Sequence, residues 1–363
     1  MNRLIIIGNG FDLAHGLKSS SKDLILHYLI NVWKKLSEGQ YKDRLIQIER
    51  AKHYFQQNDL TTSEANIIDV LKKIVKDFTS GPDDAHMSFN SSFFESIFYK
   101  IGNLNWADFE TEYFHELYDI IDSNNRKKNK TFHNRVDIES SKYSSIKKLN
   151  EDLDYIQDIL IAYLKGQEEI FEDKGNIDRL YKTYFEEYIN KEEVDNGLLG
   201  ISARTLHFLN FNYTRTLEKY IRNSTINYIH GTLDDNPIFG FGDDTSDKYQ
   251  EIENEYNNEF LRKIKSFKYL DNDNYKKLKI FVNSDDFDVQ IFGHSCGVSD
   301  RTLFKQIFED EHCKSIRIFY YNKNDFEEKK YELSRHFRNK ITFLEKVKSF
   351  NKLRKMPQLC LEK

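Results

Sequence analysis

A chain of 363 residues has room for two domains or one elaborated domain. Its 54 Lys and Arg against 59 Asp and Glu leave a net charge of -5, which excludes a protein that works by neutralising nucleic-acid phosphates over its whole surface. The 28 Phe and 22 Tyr exclude a disordered chain, and 3 Pro exclude a linker-rich or collagen-like one.

The first predicted element is a buried strand, Leu4 to Ile7, stopped by Gly8-Asn9-Gly10. Four apolar residues are too few for a signal-peptide core. The stretch Leu24 to Trp33 is interrupted by His27 and Asn31, so no membrane span is expected either. Cys296, Cys313 and Cys360 are odd in number and far apart, which points to a reducing, cytoplasmic setting without disulfides.

From about residue 20 to 200 the spacing is helical. Ile67, Val70, Leu71, Ile74 and Phe78 share a face, with Thr62 or Ser63 as caps and Gly81-Pro82 as the stop. Trp106 to Ile120 and Ile146 to Tyr163 repeat the pattern. Between them Asn124 to Arg135 reads as a basic, solvated loop, with a phosphate contact as the lesser alternative. Strands return at 205–211, 226–229, 237–241, 289–292 and 316–321, and Tyr256, Phe260, Ile264 and Phe267 mark a helix among them. This order predicts an α/β fold: a doubly wound, mostly parallel sheet built from residues 1–20 and 201–363, with a large α-helical subdomain, 21–200, inserted after the first strand.

The strand ends carry the candidate chemistry. Gly8-Asn9-Gly10-Phe11-Asp12 opens a turn where glycines allow close backbone approach to a phosphate or ribose. A plain strand-to-helix turn is the alternative, with Asp12 as its cap. His15 stands three residues beyond Asp12, near enough to share a cleft with it. Asn212, after Phe211, is placed to bind a substrate hydroxyl or to cap a helix. His230, followed by Gly231, has the side chain that titrates near neutral pH and suits a general base, although a structural histidine fits the same pattern.

Gly293-His294-Ser295-Cys296-Gly297 fits the nucleophile elbow of a serine hydrolase, with Asp310 or Asp325 and then His336 completing a triad. The next helix, however, is expected only at Ser299-Asp300. In Asn105 to Glu110 the acidic pair could reach a ligand, but an amphipathic helix start accounts for the segment better. No His, Asp or Glu spacing matches a known metal motif, so no metal is expected.

In order and spacing, the segments 8–17 (GNGFDLAHGL), 105–110 (NWADFE), 211–214 (FNYT), 229–231 (IHG) and 293–300 (GHSCGVSD) resemble the AbiH-type bacteriophage abortive infection proteins. More distantly, the set is similar to the sirtuin-like NAD-consuming domains of other phage-defence proteins. That likeness implies a Rossmann-like, nucleotide-binding fold in which Gly8, Asn9, Gly10 and Asp12 hold the pyrophosphate and nicotinamide ribose, with Phe11 and His15 beside them in the binding set. It implies Asn212 as the catalytic Asn, His230 as the base, and Gly231, Gly293, His294, Ser295 and Asp300 as further ligand contacts. NAD would be the substrate, with no tightly bound cofactor. The implied protein is an antiphage effector that hydrolyses NAD on infection, with a phage or host protein as trigger. The insertion is the expected place for sensing or self-association, and neither membrane nor nucleic acid is expected as a partner. The alternatives are a non-catalytic nucleotide-sensing module and the serine hydrolase.

Overall fold

The computed structural model describes residues 1–36, 39–49, 64–76, 86–102, 105–128, 135–173, 205–221, 226–350 and 353–358. It divides into two compact units. One comprises Met1–Ser19, Leu164–Tyr256 and Leu261–Lys363, the other Ser20–Tyr163 and Asn257–Phe260.

The first unit is built on a five-stranded, all-parallel sheet. In chain order its strands are β1 (Asn2–Ile7), β5 (Leu206–Asn210), β6 (Ile226–Tyr228), β7 (Phe287–Phe292) and β8 (Cys313–Phe319). Their spatial order is β6-β5-β1-β7-β8, so the direction of winding reverses at β1. Both faces of β1 are covered, which is why its sequence is apolar without alternation. Leu4 and Ile6 join one core with Val289, Ile291, Ile316 and Ile318. Ile5 and Ile7 join the other with Phe208, Phe292 and Phe319.

Helices flank the sheet. On the first face lie Leu278, Phe281 and Val282 of α9 (Asn274–Val282), Leu303, Phe304, Ile307 and Phe308 of α10 (Arg301–Phe308), and Phe326 and Leu333 of α11 (Lys323–Ser334). On the second lie Phe11 and Ala14 of α1 (Asn9–Ala14). Towards the amino ends of the strands, Arg3 and Asp288 are cross-strand partners and form a buried bidentate ion pair at 2.7 and 2.8 Å. Two further helices complete this unit, α7 (Asp247–Glu253) and α8 (Lys265–Lys268), with α12 (Lys340–Lys346) near its end.

The second unit holds α2 (Ser21–Lys35), α3 (Glu64–Lys76), α4 (Ser92–Lys100) and α5 (Trp106–Lys128), and most of α6 (Arg135–Asp173). It also holds strands that helical periodicity did not lead one to expect. β2 (Tyr41–Lys42), β3 (Ile46–Glu49) and β4 (His86–Phe89) form a three-stranded antiparallel sheet.

Other expectations need correction. Residues 237–241 form no strand; Phe241 makes one isolated parallel bridge with Ile264. The helix expected through Tyr256, Phe260, Ile264 and Phe267 is broken for the same reason. The backbone turns through a positive φ at Tyr256 (51°), only short turns form at Asn258–Phe260 and Lys265–Lys268, and Phe241 exchanges hydrogen bonds with the Lys263 carbonyl and the Lys265 amide. The basic loop is helical at both ends, because α5 runs to Lys128 and α6 starts at Arg135. Residues 129–134 lie outside the described residues, as do Thr62, Ser63, Phe78, Gly81, Pro82, Cys360 and the boundary near 200. Among the described residues, no helix is long and apolar enough to cross a membrane.

Candidate functional site at the carboxyl ends of the parallel strands

Strands that run parallel and in register deliver their following loops to one edge of the sheet. Ile7 pairs with Asn210 on one side and Phe292 on the other, and Asn210 pairs with Tyr228. The segments starting at Gly8, Phe211, Ile229 and Gly293 therefore leave the sheet side by side. Open α/β sheets bind ligands at this edge, where the winding reverses.

The glycines serve the contact between two of these loops. The Gly10 amide donates to the Gly293 carbonyl at 2.8 Å, and the Gly8 amide to the Phe292 carbonyl at 3.0 Å. A Cβ on Gly8 would fall 2.6 Å from the His294 Cα, and one on Gly293 (φ 70°) would fall 2.2 Å from the Phe11 nitrogen. The close approach expected for a pyrophosphate is thus made by the β7 loop, with His294 occupying the space beside Gly8. His294 is itself spoken for. Its Nδ1 accepts the Cys296 amide proton at 2.9 Å, its ring meets Phe211 and Phe304, and burial pushes its pKa down to about 3.

Asn212 joins the first two loops. Its Nδ2 donates to the Gly8 carbonyl at 3.1 Å. Beside it Asp12 is buried, and one of its oxygens accepts the Thr214 hydroxyl proton at 2.5 Å. The other, Oδ1, makes no well-aligned hydrogen bond, although the Thr216 and Asn212 side chains lie close enough to act on the carboxylate. Burial raises the Asp12 carboxyl to about 6, against the opposing pull of Thr214, Thr216 and Asn212. A buried acceptor with spare capacity is a place for a ligand hydroxyl.

His230 belongs to a second polar group. Its Nε2 lies 3.0 Å from Asp300 Oδ1 and 3.1 Å from the Tyr269 hydroxyl, and Lys265 Nζ reaches the same Asp300 oxygen at 2.9 Å. Burial alone would raise the Asp300 carboxyl; the Lys265 ammonium and the hydrogen bond from His230 reverse that and hold it far below the usual carboxylate range. Phe211 links the two groups, its ring packing edge-on against both His230 and His294.

The structure brings Gly8, Gly10, Asp12, Asn212, His230, Gly293, His294 and Asp300 together by these contacts. His15 is otherwise engaged. Its Nδ1 donates to the Phe11 carbonyl and its Nε2 accepts from Tyr220, both at 2.6 Å, and burial lowers its pKa to about 4. Asn9 accepts the Ser19 hydroxyl proton at 2.6 Å, and Phe11 is a core residue. Gly231 turns the chain at φ 78°, its amide donating to Tyr228. Ser295 is half-buried.

The serine triad does not assemble. His336 donates from Nε2 to the Cys296 carbonyl at 2.7 Å, Asp310 pairs with His312 and Asp325 with Lys329. Besides Gly293, the residue of this turn with a positive φ is Cys296 (57°) and not Ser295, and Val298–Asp300 form a 3-10 turn before α10 begins. The acidic residue Asp108 of the 105–110 segment caps α5 reciprocally with Asn105, at 3.0 and 3.1 Å. Among the described residues no group of three or more His, Cys, Asp or Glu could hold a metal ion.

Lys265, Tyr269 and Thr216 escaped the sequence reading. Lys265 carried no signal, being one lysine among several in a charged segment; Thr216 follows the FNYT segment by two residues.

A family model described as bacteriophage abortive infection AbiH matches residues 4–322. No curated protein and no solved structure matches the chain.

Proposed function

The chain belongs to the bacteriophage abortive infection AbiH family, which implies a role in abortive infection by phage; from that premise we propose that it is an effector that binds NAD at the strand-end site and hydrolyses the nicotinamide–ribose bond. The observation that carries the reading is the convergence of Asp12, Asn212 and His230 on the carboxyl ends of three neighbouring parallel strands. The reversal of winding at β1 supports a Rossmann-like, sirtuin-like assignment, because such sheets bind dinucleotides at the reversal.

The chemistry asks little of the protein beyond placement. As the C–N bond breaks, nicotinamide leaves with the bonding pair and positive charge builds on the ribose, as in glycoside cleavage. Water adds to that carbon and gives up a proton, leaving ADP-ribose and nicotinamide. Asp12 Oδ1 would accept a ribose hydroxyl, Asn212 would orient the ring, and His230 would take the proton. Free amides for the pyrophosphate would come from elsewhere than Gly10, which already donates to Gly293.

The test is to follow NAD and nicotinamide with the purified protein and in infected cells, beside His230→Ala and Asn212→Ala. Loss of NAD that stops in both variants is expected. No consumption under any trigger, or unchanged consumption in both variants, removes the enzymatic reading. The engagement of His230 Nε2 by Asp300 and Tyr269 favours a second reading, a cytoplasmic module that senses a nucleotide without turnover and relays it to a phage or host protein or to a second copy. Ligand binding without hydrolysis, with protection surviving His230→Ala, would decide for it.

A further inference from the structure

Lys265 is 1% exposed, and the reaction proposed above gives it no task. Burying an ammonium is costly unless it is paired and hydrogen-bonded, so its position calls for a cause. Its backbone amide donates to the Phe241 carbonyl at 2.9 Å, beside the bridge between Phe241 and Ile264. The ammonium is therefore carried on a strapped segment. Two donors, Lys265 Nζ and His230 Nε2, meet one acceptor, Asp300 Oδ1, at 2.9 and 3.0 Å. The Tyr269 ring lies parallel to the imidazole, 9° between planes, with its hydroxyl on the same nitrogen.

We propose that Lys265 is a positioning residue for His230, acting through the Asp300 oxygen that the two share. The inference rests on the reading of His230 as proton acceptor and adds what keeps it ready. An imidazole beside an ionised carboxylate draws a second proton, and a ring with two N–H groups accepts nothing. Lys265 takes up part of the Asp300 charge, so the ring keeps one proton and not two.

The groups facing His230 are Asp300, Lys265, Tyr269, Tyr213 and His294, with the Phe211 carbonyl as a further acceptor; Lys329 acts on His294 from farther away. Burial lowers His230 first. Asp300 pulls it up, and Lys265 pulls it down again.

The experiment is an NMR titration of the His230 ring in the full chain, assigned with His230→Gln, for the wild type, Lys265→Met and Lys265→Arg. In Lys265→Met the midpoint should move up by about one pH unit, a tenfold gain in proton affinity, and Lys265→Arg should return it. Nicotinamide release, followed in parallel, should show its acid limb moving the same way. A midpoint unchanged in folded Lys265→Met overturns the proposal whether or not NAD is consumed. A midpoint that moves while no form consumes NAD upholds the positioning and removes the catalytic reading instead. If Lys265→Met does not fold, Lys265→Gln keeps a donor without the charge, and the same upward shift or its absence decides.

Discussion

Gly10 and Gly293 meet backbone to backbone: the amide of one donates to the carbonyl of the other at 2.8 Å, and a Cβ on Gly10 would lie 2.8 Å from the Gly293 Cα. The two loops that flank β1 and β7 thus exclude side chains from their contact. Gly293→Ala adds a left-handed backbone penalty to a clash with the Phe11 amide, and should cost about 2–5 kcal/mol. Gly166 lies within α6 with nothing within 4 Å of its missing Cβ, so Gly166→Ala should stabilise by about 1 kcal/mol. Urea midpoints measure both. Equal effects from the two substitutions would show that the loop contact is not tight.

Asp12 makes the fold pH-dependent in an unusual sense. Its carboxyl is raised from 3.8 to about 6, so folding favours the protonated form. That contribution is complete below pH 3.8 and is lost as the pH rises through 6; at neutral pH the ionised group costs about 3 kcal/mol. Asp12→Asn should therefore stabilise the protein by up to about that amount at pH 7.5 and change little at pH 4. The same variant should bind NAD more weakly, since an amide nitrogen or a neutral oxygen replaces Oδ1. Stability curves at the two pH values, with NAD titration at the higher one, check both halves. A destabilised Asp12→Asn at pH 7.5 would contradict the assignment.

Histidines act with the opposite sign. Burial lowers His15, His207 and His336 to about 4 and His294 to about 3. Their folded forms are neutral, so their contribution is present above about 6.5 and is lost as the pH falls through 4. Urea midpoints should drop steadily across that window. His207 stacks on Phe281 at 4.8 Å, and His207→Phe should keep the packing while removing about one proton from those taken up on unfolding. An unchanged slope in that variant would place the acid sensitivity elsewhere.

What was legible in the sequence follows from burial and local spacing. Leu4 to Ile7 reads as a strand because both its faces are covered, and Ile146 to Tyr163 reads as a helix because one face is buried along its length. β2, β3 and β4 were not legible. Each has two to four residues, and β3 finds its partner β4 some forty positions away, at Ile46 with Phe89. The helix expected through Tyr256 and Phe267 has the right apolar spacing, but backbone pairing with Phe241 outweighs it.

The sequence by itself determined where chemistry-bearing residues follow apolar strands, because a run of β-branched residues stopped by glycine reports a strand end from neighbours alone. Only the tertiary structure decided which of those residues meet. His15 lies three positions from Asp12, yet its Nε2 is taken by Tyr220, 205 residues away. Asp300 comes to His230 from a different loop, and Lys265 joins them from a segment with no motif at all. Hydrogen bonds and ion pairs act over about 3 Å, and no local pattern specifies which distant side chain the folded backbone will bring within that range.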